Sequence, residues 1–175
     1  MIGELAASFE LADIEGAMHR LADYAGDVVV LDFWSAECPW SQHYDEWLSQ
    51  QFFGWARAGV HLLAVASNVN ETGEFIRATV AKRGITFPVL PDPGSAVADL
   101  YGAVTTPHIF VIDPAGRLAY QGAIDDRSFR KREADVNYLD RAIDALLAGR
   151  HPDPAVTEPY GCTIARPVDQ EGTAA

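Results

Sequence analysis

Cysteine is scarce: the 175 residues hold two, Cys38 and Cys162, far apart in the chain. That excludes a disulfide framework, and a reducing compartment would keep both as thiols, so any bridge between them is expected to be transient. Basic residues are outnumbered, 13 against 25 acidic ones, for a net charge of −12. Phosphate backbones and anionic lipid surfaces carry the same sign and are repelled, which argues against nucleic acid and membrane as partners. No apolar run approaches the roughly 20 residues that span a bilayer. The start, MIGELAASFELAD, has no basic segment followed by an apolar core, so the expected setting is the cytoplasm. The histidines, His19, His43, His61, His108 and His151, are scattered without ligand spacing. No metal site is therefore expected, and no organic cofactor is implied.

About half of the residues are hydrophobic, enough for a single domain with a continuous core. SFELADIEGAMHRLADYAGD, broken at Gly16 and Gly26, predicts a β-hairpin. VVVLDFW and VHLLAVAS read as buried strands. From Pro39 the residues Trp40, Tyr44, Trp47, Leu48, Phe52 and Trp55 recur at helical spacing, with Pro39 suited to a first helical position. NETGEFIRATVAKRG predicts a helix stopped at Gly84, and a short strand FPVL and a helix near Ser95 to Tyr101 follow. HIFVID and RLAYQGAI flank a turn at Pro114 to Gly116, and DVNYLDRAIDALLAGR is the last helix. This order predicts an α/β domain over residues 1–150, with a central mixed β-sheet flanked by helices. Residues 151–175, with four prolines and little periodicity, read as an extended tail carrying Cys162.

In such sheets reactive groups gather beyond the carboxyl ends of the parallel strands. Cys38 stands at such a junction, after a strand and before a proline that opens a helix. Unpaired N–H groups and the positive end of the helix dipole favour its thiolate, whereas the adjacent Glu37 opposes it. The bland alternative is a small buried hydrophobe. Asp32, inside an apolar strand, is costly to bury ionised, so its pKa is expected to rise. It then either shuttles protons near neutral pH or is hydrogen-bonded and inert.

At these residues the sequence resembles the thioredoxin superfamily, in particular its peroxiredoxin-like branch of redoxin domains. LDFWSAECPWS resembles the motif in which Asp-Phe-Trp precedes a Cys-x-x-Cys pair, with Asp32 at the buried aspartate. TTPHIFVIDPAGRLAYQG resembles the cis-proline strand and hairpin, with Pro107 as the cis-proline. GAIDDR and EPYGCTIARP resemble the end of the peroxiredoxin-like branch, including its late Gly-Cys. The likeness implies a thioredoxin-like fold and a thiol-disulfide oxidoreductase with Cys38 as the nucleophile. Its substrate would be a protein disulfide or a small oxidant, and its electron donor a thiol reductant. Thr106 beside the cis-proline would pair with an extended substrate backbone. Pro39 and Trp40 fall on the substrate-binding surface, Trp40 as an exposed docking position.

The departures are as informative. Ser41 stands where thioredoxins carry the resolving cysteine, which leaves that role to another thiol. Cys162 is the candidate: the 13 steps from Gly149 to Cys162, extended at ~3.1 Å each, cover about 40 Å, more than the ~16 Å radius of such a domain, though the tail must turn back toward Cys38. Otherwise Cys162 is a buried tail anchor or an intermolecular thiol. Ser35 takes the place of the peroxiredoxin threonine and could hydrogen-bond a peroxide. Leu31, however, replaces that motif's proline, and Ala119 falls where its arginine is expected. Two other readings stand beside the oxidoreductase: a thiol-dependent peroxidase passing through a Cys38 sulfenic acid, and a non-catalytic binding module.

Overall fold

The computed structural model describes residues 1–168. β1 (Glu10–Ala12) and β2 (Met18–Arg20) pair antiparallel as the N-terminal hairpin. There follow β3 (Val28–Trp34), α1 (Pro39–Arg57), β4 (Val60–Ala66), α2 (Gly73–Arg83), β5 (Val89–Pro91) and α3 (Ala96–Tyr101). The chain continues through β6 (Thr105–Thr106), β7 (Ile109–Ile112), β8 (Leu118–Gly122), α4 (Tyr138–Leu147) and β9 (Cys162–Thr163). The main sheet runs in the order β5-β4-β3-β7-β8. Its first three strands are parallel, and β7 and β8 are antiparallel to their neighbours. This is the mixed sheet flanked by helices that the element order predicts.

The central place of β3 explains its composition, because a strand covered on both faces has no position for solvent-facing polar residues. Val28, Val30 and Trp34 join Tyr44 and Leu48 of α1, Ile76 of α2 and Leu139 and Ile143 of α4. Val29, Leu31 and Phe33 face the other way, toward Phe9, Val97 and Ala98 of α3, and Ile164 of the tail. Each such side chain contributes about 1.5–3 kcal/mol by leaving water, so β3 is a firmly held base for the loop that carries Cys38. Helix ends are set locally. Thr72 accepts the Phe75 N–H at the start of α2, Gly84 closes that helix in the left-handed region, and Asn137 accepts the Asp140 N–H at the start of α4.

Beyond α4 the chain does not hang free but lies across the domain as a strap. Its backbone first meets β8, where Gln121 N–H donates to Ala155 O at 3.0 Å and Thr157 N–H to Gln121 O at 3.0 Å. It then runs to β9, which pairs antiparallel with β6, setting Cys162 opposite Thr106 and Thr163 opposite Thr105. Ile164 is buried, and Ala165 N–H donates to the Asn68 side chain at 2.8 Å. Residues 169–175, the end of the expected tail, lie outside the described residues. Asp125, in the segment after β8, is buried, accepting from Tyr44 Oη at 2.8 Å and paired with Arg127 at 3.3 Å.

Candidate active site

Cys38 is the N-cap residue of α1, with Pro39 as the first helical residue. The loop that carries it from β3 is clamped by Glu71, a buried carboxylate from the segment after β4. Glu71 accepts N–H bonds from Ala36 at 3.0 Å and Glu37 at 3.2 Å, and a short bond of 2.5 Å from the Ser35 hydroxyl. Ser35 Oγ in turn accepts from the Cys38 N–H at 3.1 Å and from Asn68 at 3.0 Å. Arg83 holds the same loop from the far side, donating to the Ala36 carbonyl at 2.5 Å and to Asp45 at 2.9 Å. Bonds to charged groups are worth roughly 1.5–3 kcal/mol each, so the nucleophile sits on a stiff loop. Neither Glu71 nor Asn68 stands out in the sequence. Each reaches Ser35 from more than thirty residues away, and no local spacing marks them.

The sulfur of Cys38 is 2.9 Å from that of Cys162 and 2.9 Å from the Thr106 carbonyl oxygen. Burial pushes the Cys38 pKa up. Hydrogen bonding from the Cys162 thiol and from the N–H groups of Ser41 and Cys162 outweighs it and brings the thiol below its ordinary value. Cys162 moves the other way, to about 11, through burial first and then its bond to Cys38 and the charge there. One proton thus resides on Cys162 while Cys38 ionises, an asymmetry that suits a nucleophile and a thiol held in reserve. Asp32 lies on β3 beneath this pair. Neither of its carboxylate oxygens has a partner among the described residues. Burial, then the charges of Asp45 and Cys38, raise its pKa well above the carboxylate range. The hydrogen-bonded, inert alternative therefore has no partner for Asp32 among the described residues.

The other expected residues divide. Thr106 and Pro107 flank the sulfur pair, joined by a cis peptide bond. The Thr106 edge, expected to be open for a substrate backbone, is instead taken by the chain's own Cys162, because the strap returns antiparallel along β6. Ser35 does not face an incoming peroxide: its proton goes to Glu71 and its oxygen to the Cys38 N–H, so it acts as a loop brace. Ser41 is buried and accepts the Ser35 N–H at 3.3 Å. Pro39 is exposed, but Trp40 is half-buried rather than an open docking position. Tyr160 of the strap lies edge-on against it at 4.8 Å and Phe129 at 6.0 Å. Ala119, at the place expected of the peroxiredoxin arginine, is buried within β8. Among the described residues, no group of His, Cys, Asp and Glu is arranged to hold a metal ion.

A nucleophilic thiol at a helix start, a second thiol against it and a buried aspartate below them place the molecule among the redoxins of thioredoxin-like fold. The chain belongs to the AhpC/TSA family, whose pattern matches residues 2–121. It is 33% identical over 117 residues to a protein named thiol-disulfide oxidoreductase ResA from Geobacillus thermodenitrificans. The match covers 67% of this chain and spans 66% of that relative's length, just under two thirds. A crystal structure of a hypothetical protein from Sinorhizobium meliloti 1021 superposes with a TM-score of 0.87 at 31% identity, covering 96% of each chain. The thioredoxin domain of a thiol-disulfide oxidoreductase from Bacteroides vulgatus shares the fold, with a TM-score of 0.62 at 20% identity over 80% of this chain and 91% of that one. The family match stops at residue 121, so the strap and Cys162 lie beyond it.

Proposed function

We propose that this protein is a thiol-disulfide oxidoreductase in which Cys38 attacks a disulfide and Cys162 resolves the product. The observation that carries the reading is the pair of sulfurs at 2.9 Å with opposed pKa shifts. Cys38 thiolate forms a mixed disulfide with one substrate sulfur, and the other leaves as a thiol. The Cys162 thiol then attacks Cys38, releases the second substrate thiol and leaves a Cys38-Cys162 disulfide. A thiol reductant in the surroundings restores the dithiol. Asp32 is placed to take or return the proton that moves with these steps. A cytoplasmic setting belongs to the same reading, because a pair that cycles needs reducing surroundings.

A peroxidase reading has less support, since Ser35 is committed to the loop and Ala119 offers no cation to a peroxide. Reduced protein incubated with a protein disulfide should turn over with added thiol. Cys162→Ser should accumulate a mixed disulfide on Cys38, and Cys38→Ser should be inert. Turnover by Cys38→Ser, or consumption of peroxide in preference to the disulfide, would overthrow the assignment.

A further inference from the structure

The strap is held at several positions. Cys162 pairs with Thr106, and Gly161 lies so close that a Cβ there would collide with the Thr106 carbonyl oxygen. Only glycine fits before the cysteine. Two residues before the cysteine, half-buried Tyr160 packs edge-on against Trp40 at 4.8 Å and Phe129 at 5.2 Å. Two residues after it, Ile164 is buried in the core cluster on the β3 face that Phe33 lines. Its N–H donates to Val104 O at 3.1 Å. The described strap thus fills a groove built for an extended chain that offers an aromatic side chain, glycine, cysteine and, after one more residue, an aliphatic side chain.

We propose that the strap is an internal copy of the substrate: the Cys38 groove accepts an extended polypeptide segment whose disulfide cysteine is directly preceded by glycine, with an aromatic residue two before it and an aliphatic one two after. This rests on the oxidoreductase reading and names its substrate class. The Thr106 edge has one set of backbone groups and cannot pair with two chains, and Cys38 is only 2% exposed beneath the strap. The strap therefore leaves when such a client binds. Cys38 thiolate attacks the client cysteine sulfur, forming one S–S bond while the client's own S–S bond breaks and its distal sulfur departs, taking up a proton. Redocking brings Cys162 back to Thr106, where it attacks Cys38, breaks the mixed disulfide and displaces the client cysteine as a thiol. Product release and strap docking are one event, and the client is reduced by the two electrons the Cys38-Cys162 pair gives up.

The test uses the full chain carrying Gly161→Ala and Cys162→Ser, which weakens the strap and removes the resolving thiol. A peptide of sequence Glu-Pro-Tyr-Gly-Cys-Thr-Ile-Ala-Arg-Pro, its cysteine joined to 5-thio-2-nitrobenzoate, is offered beside the same peptide with alanine for glycine and beside hydroxyethyl disulfide. Capture on Cys38 is followed by nitrothiobenzoate release and by mass. The glycine peptide should react about tenfold faster or more than the alanine peptide, the size of effect that forcing a methyl group into a filled site produces. It should also react faster than with a chain carrying Cys162→Ser alone, whose strap still competes. Equal rates for the two peptides overturn the proposal. So does reaction with hydroxyethyl disulfide but with neither peptide, or a wild-type dimer linked from Cys38 of one copy to Cys162 of another. Failure of all three disulfides sinks the oxidoreductase reading instead.

Discussion

At the scale of the residue, the opposed shifts of Cys38 and Cys162 make a direct prediction. In the native chain, alkylation of Cys38 should titrate with a midpoint below that of an ordinary thiol, and Cys162 should react only toward its value of about 11. Cys162→Ala removes a hydrogen bond to the thiolate and should move the Cys38 midpoint up. Iodoacetamide kinetics against pH with peptide mapping read both, and a lower midpoint for Cys162 would contradict the arrangement. Asp32 adds a stability effect. Its folded-state pKa stands above the unfolded one, so the native state keeps a proton that the unfolded chain loses, and stability falls as pH rises from the ordinary carboxylate range toward the raised value. Asp32→Asn should abolish that fall and melt higher than wild type above the ordinary range, while slowing disulfide exchange. Melting curves over a pH series decide it; parallel curves for the two proteins would mean that Asp32 is ionised in the native state.

At the scale of the element, the strap depends on a close approach at β8. Gly122 has φ 144, and a Cβ there would collide with both Thr157 Oγ1 and the Thr157 carbonyl. Gly122→Ala should lift the strap at its entry, at a cost of about 1–3 kcal/mol to its docking. Faster hydrogen exchange over residues 155–166 and slower closure of the Cys38-Cys162 disulfide are the expected results. Unchanged protection would show that the strap is fixed by β9 alone. The helices and the strands other than β6 and β9 were legible because each carries its own signal: an unbroken apolar run for β3, a proline start for α1, Gly84 for the end of α2. Cys38, Asp32 and Pro107 could be placed from their neighbours in sequence. The course of the strap could not, since its bonds run to Gln121, Asn68 and Val104, and a Pro-rich stretch without periodicity says nothing about direction. Glu71 was hidden for the same reason, as a loop carboxylate whose partners lie 34 to 36 residues earlier.

At the scale of the whole molecule, the two thiols close most of the chain into one loop, because they are 124 positions apart. Cross-linking removes conformational freedom from the unfolded chain, and for a loop of this length the chain-entropy contribution approaches ~5 kcal/mol, of which natural bridges deliver typically about 2–4. Oxidised wild type should therefore melt roughly 5–15 °C above reduced wild type, and Cys162→Ser should show no difference between the two conditions. Coincident melts for oxidised and reduced wild type would mean that the bridge does not form within one chain. The same free energy acts on the redox equilibrium: whatever the disulfide adds to folding, folding adds to the disulfide. At about 30 mV per 1.4 kcal/mol, the potential of the pair in the folded chain should lie about 40–90 mV below its value in the unfolded chain. A lowered potential makes the dithiol a better donor of electrons than it would be in the unfolded chain, so in the proposed cycle the docked strap favours the reducing direction.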